Sequence, residues 1–132
     1  MTRLVPLLSA RPRATQAFLV VGGPVIAGII CGVLLGTNES AYLIASILAL
    51  AGGYLAGYEH PSPGEGALRG AVGGTLFGTF ILLTHVVDTR EATNDLPDPE
   101  ILLVVFTAVF GIFTGILGGF MRRRAEASAP VV

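Results

Sequence analysis

Apolar residues along this chain gather into four long runs and do not alternate with polar ones. The runs cover roughly 17–36, 41–58, 67–87 and 101–121, about 18 to 22 residues each, the length that crosses the hydrocarbon core of a bilayer. Each run is apolar all round, whereas a helix on the surface of a soluble domain keeps a polar face. In lipid every backbone polar group needs an internal partner, so only helices and closed barrels span; continuous runs without a two-residue period select helices. The pattern predicts an all-α fold, an integral membrane four-helix bundle. It comprises a lead over 1–16, a four-span domain over 17–121 and a tail over 122–132.

The polar intervals predict the connections. Thr37 to Ser40 leaves room only for a tight turn, and Glu59 to Gly66 (EHPSPGEG) carries prolines and glycines that end one helix and admit the next. Spans one and two, and two and three, are therefore expected to be antiparallel neighbours. The third loop, Asp88 to Glu100 (DTREATNDLPDPE), is longer and acidic. In the lead, Leu4, Val5, Leu7 and Leu8 offer an apolar surface for lying on the membrane, while Pro6 and Pro12 limit any helix. The small polar residues after Arg124 read as disordered.

Charge adds an orientation. The net charge is only -1, yet all eight basic residues are arginine and seven of them flank one side of the predicted bundle: Arg3, Arg11, Arg13, Arg69, Arg122, Arg123 and Arg124, with Arg90 apart. By the positive-inside rule both termini and the second loop are expected in the cytoplasm. Arginine without lysine suggests a GC-rich prokaryotic gene, hence a prokaryotic inner membrane. The first run exceeds the apolar region of about 7 to 15 residues found in a cleavable signal peptide. Cys31, the lone cysteine, sits within a span and is expected to pack as a small apolar residue.

The spans also repeat small residues every fourth position. The stripes are Gly28, Gly32 and Gly36; Ala45, Ala49, Gly53 and Gly57; Gly66, Gly70, Gly74 and Gly78; and Gly111, Gly115 and Gly119. Lipid tails are as apolar as leucine, so membrane helices associate by close fit, and such a glycine zipper lets backbones approach. The stripes are expected to face each other inside one compact bundle; Gly22, Gly23, Gly52, Gly73 and Gly118 widen some of them to a second face, which leaves another subunit or partner as the alternative. Spans one and three share one glycine spacing and spans two and four another, which reads either as two repeated helical hairpins or as a chance alignment of fourfold glycines.

Candidate chemistry is sparse. No Asp, Glu or Lys lies well inside a span, and a proton-coupled transporter needs a titratable group at depth. Arg69 follows Glu65 by one helical turn and is expected to pair with it at the interface, a substrate-binding arginine being the alternative; His85 reads as an ordinary interfacial histidine, with pairing to Asp88 or pH sensing as the alternative. Neither the carboxylates and His60 of the second loop nor those of the third have zinc or calcium spacing. No metal, cofactor, catalytic residue or nucleic-acid patch is expected, and the terminal arginines read as a topology signal touching anionic lipid. Span-borne hydroxyls usually bond back to their own backbone.

The run Gly73, Gly74, Thr75, Leu76, Phe77, Gly78, Thr79, Phe80 loosely resembles the third-helix segment of small fluoride channels. That resemblance implies an anion path along Thr75, Thr79 and Phe80; the asparagine of helix two in those channels has no counterpart here. Over 17–124 the layout and glycine pattern resemble small, glycine-rich four-span prokaryotic membrane proteins of unknown function, which implies a fold type and no activity. The expected function is that of a non-enzymatic packing or accessory subunit or a small homo-oligomer, in contact with the lipid bilayer and with itself or another membrane protein. A small channel or passive transporter is the alternative.

Overall fold

In the computed structural model, which describes residues 4–129, the chain forms an all-α four-helix bundle. Helices α1 (Arg13–Leu35), α2 (Glu39–Tyr58), α3 (Pro63–Asp88) and α4 (Leu102–Ala127) have 23, 20, 26 and 26 residues, and each is long and apolar enough to cross a membrane. Local chemistry sets several ends. The Asn38 side chain accepts the Ala41 N–H at 2.9 Å to cap α2, and Ser62 Oγ accepts the Glu65 N–H at 3.2 Å ahead of Pro63, the first residue of α3.

The helices pair unequally. The most extensive contact is α3 with α4; α1 lies on α3 and α2 on α4, while α1 with α2 and α2 with α3 touch lightly. The first hairpin is thus loosely closed and the second tightly: spans one and two, and two and three, are in contact as expected, but neither is the principal pairing. The two hairpins are also packed differently: Gly28 and Gly32 of α1 meet α3, whereas Gly70, Gly74 and Gly78 of α3 meet α4. The shared glycine spacing does not become shared packing.

Buried apolar side chains are few among the described residues: Leu8, Cys31, Leu35 and Ile81. The last three form a cluster bordered by Tyr42, Phe77, Leu96 and Leu103. Large aliphatic and aromatic side chains such as Ile47, Leu48, Leu55, Leu68, Val87 and Phe113 point outward. Such a distribution suits a lipid solvent, where an exposed leucine loses nothing and cohesion comes from backbones fitting together.

Both flanks are more ordered than their composition predicts. The lead turns back on the bundle: Leu8 is buried in a 3-10 turn over Leu8–Ala10, and its N–H donates to the Glu59 carbonyl at 3.0 Å. Leu8 packs on protein, while Val5 stays exposed. At the other end α4 runs past Met121 to Ala127, taking in Arg122, Arg123 and Arg124 and the first of the residues after Arg124 that read as disordered. The third loop is tied to the end of α1, with the Thr93 N–H and Oγ1 both donating to the Leu35 carbonyl at 2.7 and 2.9 Å.

Candidate functional site

The glycine stripes form one seam through the bundle. A Cβ placed on Gly70 would strike the Gly111 carbonyl, and one on Gly111 would strike the Gly70 carbonyl. Gly66 and Gly115 oppose one another in the same reciprocal way, and Gly74 and Gly78 abut Thr107. On the α2 side, Gly57 rests on Gly115 and Gly53 on the Thr114 hydroxyl, while Gly118 meets the backbone of Tyr54 and Tyr58. Gly119 meets Ser62, whose carbonyl would lie 2.5 Å from an added Cβ. On the α1 side, a Cβ on Gly28 would lie 2.7 Å from the Phe77 carbonyl, and one on Gly32 would lie 2.6 Å from Thr84 Cβ. Gly36 faces Asp88 and Arg90.

Of the second-face glycines, Gly118 is absorbed by α2, Gly73 lies beside the Arg69 guanidinium, and Gly22 faces the ring of Phe18. Gly23 and Gly52 have open space where a side chain would be.

The candidate pore residues all lie on α3 at different depths. Thr75 is exposed on the outside of α3, Thr79 is half-buried, and Phe80 packs its Cβ against Gly28. The hydroxyls of Thr107 and Thr114 donate back to Val104 and Phe110 at 3.0 Å, as membrane-helix threonines commonly do. His85 does not pair with Asp88: its Nδ1 is buried without a partner, and Asp88 is held by Arg90 at 3.0 Å. Among the described residues, no three His, Cys, Asp or Glu side chains converge in a way that could hold a metal ion.

Charged groups converge instead at the end of the bundle that carries both termini. Arg11 pairs with Glu59 at 2.6 Å. Arg122, only 6% exposed, donates to the Val5 carbonyl, pairs with Glu126 at 2.6 Å and sits over the Tyr58 ring, 5.6 Å from its centre. The lead is thereby strapped to α2 and α4. Position in the chain marks Arg122 as a flanking charge; its burial follows from the fold of the lead over it.

Arg69 does not pair with Glu65, which turns to His60 at 3.7 Å. It donates instead to the Leu19 carbonyl at 2.6 Å. The reason lies in α1, which contains a π turn over Phe18–Gly22. In a regular helix the Gly23 N–H would bond to Leu19; here it bonds to the Phe18 carbonyl, and the next residue, Pro24, has no N–H to offer. The Leu19 carbonyl is left without an intrahelical donor, a costly state in a membrane, and the guanidinium supplies one. Pro24 within the first apolar run was the signal for this irregularity, and its partner could not be read from α1 alone. No family model matches the chain, and neither a curated protein nor a solved structure gives a match to it.

Proposed function

We propose that this chain is a non-enzymatic, multi-pass protein of a prokaryotic inner membrane, with both termini cytoplasmic, that works as a small homo-oligomer or as a packing subunit of a larger membrane assembly. The supporting observation is the outer face of α2. Ile44, Ile47, Leu48, Ala51, Gly52 and Leu55 recur at helical spacing on it, all exposed, with open space at Gly52. The other stripes are occupied within the chain, and a flat glycine flanked by large aliphatics is the kind of surface on which a second membrane helix docks by fit.

Gentle purification from the native membrane, followed by mass spectrometry of everything bound in stoichiometric amount, tests this. A discrete oligomer or a defined partner is expected, lost in Gly52→Leu while helical content and thermal stability of the bundle stay unchanged. Recovery of a monomer alone, or indifference of the assembly to Gly52→Leu, counts against it. A homo-oligomer would next be assayed for ion flux in proteoliposomes, fluoride first, since any conduit would then lie between copies.

A further inference from the structure

A cleft of ≈ 310 Å³ opens between α1 and α3 at the end carrying both termini, walled by Leu8, Val20, Leu68 and Val72. Its polar groups are Arg69, His60 and Glu65. Arg69 is held there by its one hydrogen bond to Leu19; its Nε and Nη1 have no acceptor among the described residues, and none of the ion pairs formed by those residues includes it. Of the nearby carboxylates, Glu59 is held by Arg11 at 2.6 Å, and Glu65 stands 3.7 Å from His60 with its side chain turned largely outward. The imidazole Nε2 of His60 is also buried and unpartnered. Glu59 lies within electrostatic reach of Arg69 but is bonded to Arg11, so this guanidinium, with free donors and set in apolar walls, has no carboxylate of its own and calls for an anion.

The height of the site indicates where that anion comes from. The 26 residues of α3 extend about 39 Å, about 9 Å more than the hydrocarbon core. Arg69 lies about 9 Å along the helix from Pro63, so with the helix centred it roots about 5 Å inside the boundary, within snorkelling reach of the phosphate layer. Below it the cleft continues at Val72 into a second groove of ≈ 380 Å³ lined by Ala71, Thr75 and Leu76. Leu68, Val72 and Thr75 are exposed on this outer surface, so the groove opens to lipid and not to water. A basic head above a hydrocarbon-lined trough has the polarity of one lipid molecule.

We propose that this cleft is a specific phospholipid site, in which the phosphodiester lies on Arg69 and an acyl chain runs down α3 past Leu68, Val72 and Leu76. A phosphodiester carries one negative charge, which matches one guanidinium. The lead residue Leu8 forms the wall on the water side, and the Leu19 bond fixes the guanidinium before the lipid arrives.

The test is native mass spectrometry of the full chain reconstituted in vesicles of phosphatidylethanolamine and phosphatidylglycerol mixed with a phosphate-free galactolipid, then extracted in mild detergent. The wild type is expected to retain phospholipid in preference to galactolipid. Arg69→Gln should lower retention at least about tenfold, the loss of a charge-assisted hydrogen-bond pair. Val72→Trp should lower it similarly by filling the trough without touching the guanidinium contacts. If Arg69→Gln loses its helical signal, Val72→Trp decides alone. Equal retention of galactolipid, no retention by the wild type, or undiminished retention in the decisive variant would overturn the assignment. Displacement of bound lipid by millimolar inorganic phosphate would mark a free-anion site and overturn it too.

Discussion

Gly70 and Gly111 each fill the space that a side chain on the other would need, so that the Cα of one helix rests against the carbonyl of its neighbour in both directions. Gly66 and Gly115 repeat the relation one turn away. The centre of the protein is thus backbone against backbone, and the separation of α3 from α4 is set by the absence of Cβ atoms.

Gly74→Leu and Gly115→Leu should therefore each destabilise the bundle by at least about 2 kcal/mol, because the obstructing atoms are backbone and cannot rotate away. Thermal unfolding in detergent followed by helical circular dichroism reads the effect. Gly52→Leu, with open space at the site, is expected to stay within about 0.5 kcal/mol. Equal behaviour of all three would remove the seam as the source of cohesion.

Cys31 is 2% exposed beside Leu35 and Ile81. Its thiol should resist a membrane-permeant maleimide in the native protein and label on unfolding. Gly28→Leu or Gly32→Leu, which would wedge α1 away from α3, should speed labelling markedly. Rapid labelling of the unmodified chain would show that α1 does not hold this position.

Arg122 closes the lead over the bundle through Val5, Glu126 and Tyr58. Arg122→Ala is expected to destabilise by roughly 1.5 to 3 kcal/mol, the range for hydrogen bonds to a charged group, and to reduce hydrogen-exchange protection of the Leu8 amide, which bonds to Glu59. Arg123→Ala and Arg124→Ala, both at exposed positions, should leave that amide protected. Loss of protection in all three alike would point to general charge, not to the strap.

Arg69 and Pro24 should be thermodynamically coupled. Pro24→Ala restores an N–H at position 24 and lets α1 relax toward regular hydrogen bonding, which removes the need for the guanidinium at Leu19. The stability cost of Arg69→Gln should then be smaller in the Pro24→Ala background by about 1 kcal/mol, measured as a double-mutant cycle. Strict additivity would mean that the π turn and the arginine are independent.

The hydroxyls and the histidine illustrate why site chemistry was harder to read than layout. Thr75 and Phe80 belong to the same apolar run, yet one faces outward and the other is pressed on Gly28. His85 precedes Asp88 by one turn, yet the carboxylate goes to Arg90. Spacing places two residues on one helical face; it does not say which third residue, arriving from another segment, will compete for the same partner.

Run length and hydropathy alone settle four helices able to cross a bilayer, since lipid demands that each backbone satisfy itself within its own segment. The fourfold spacing of Gly66, Gly70, Gly74 and Gly78 likewise announces close approach of some neighbour. Which neighbour is a different matter: every span carries a similar stripe, and lipid rewards fit without distinguishing one flat surface from another. Only the tertiary structure decided that the glycine stripe of α3 meets α4. It also turned Arg69 to the carbonyl orphaned by Pro24 and buried Arg122 beneath the lead, because each depends on groups that sequence distance keeps apart and packing brings within a hydrogen bond.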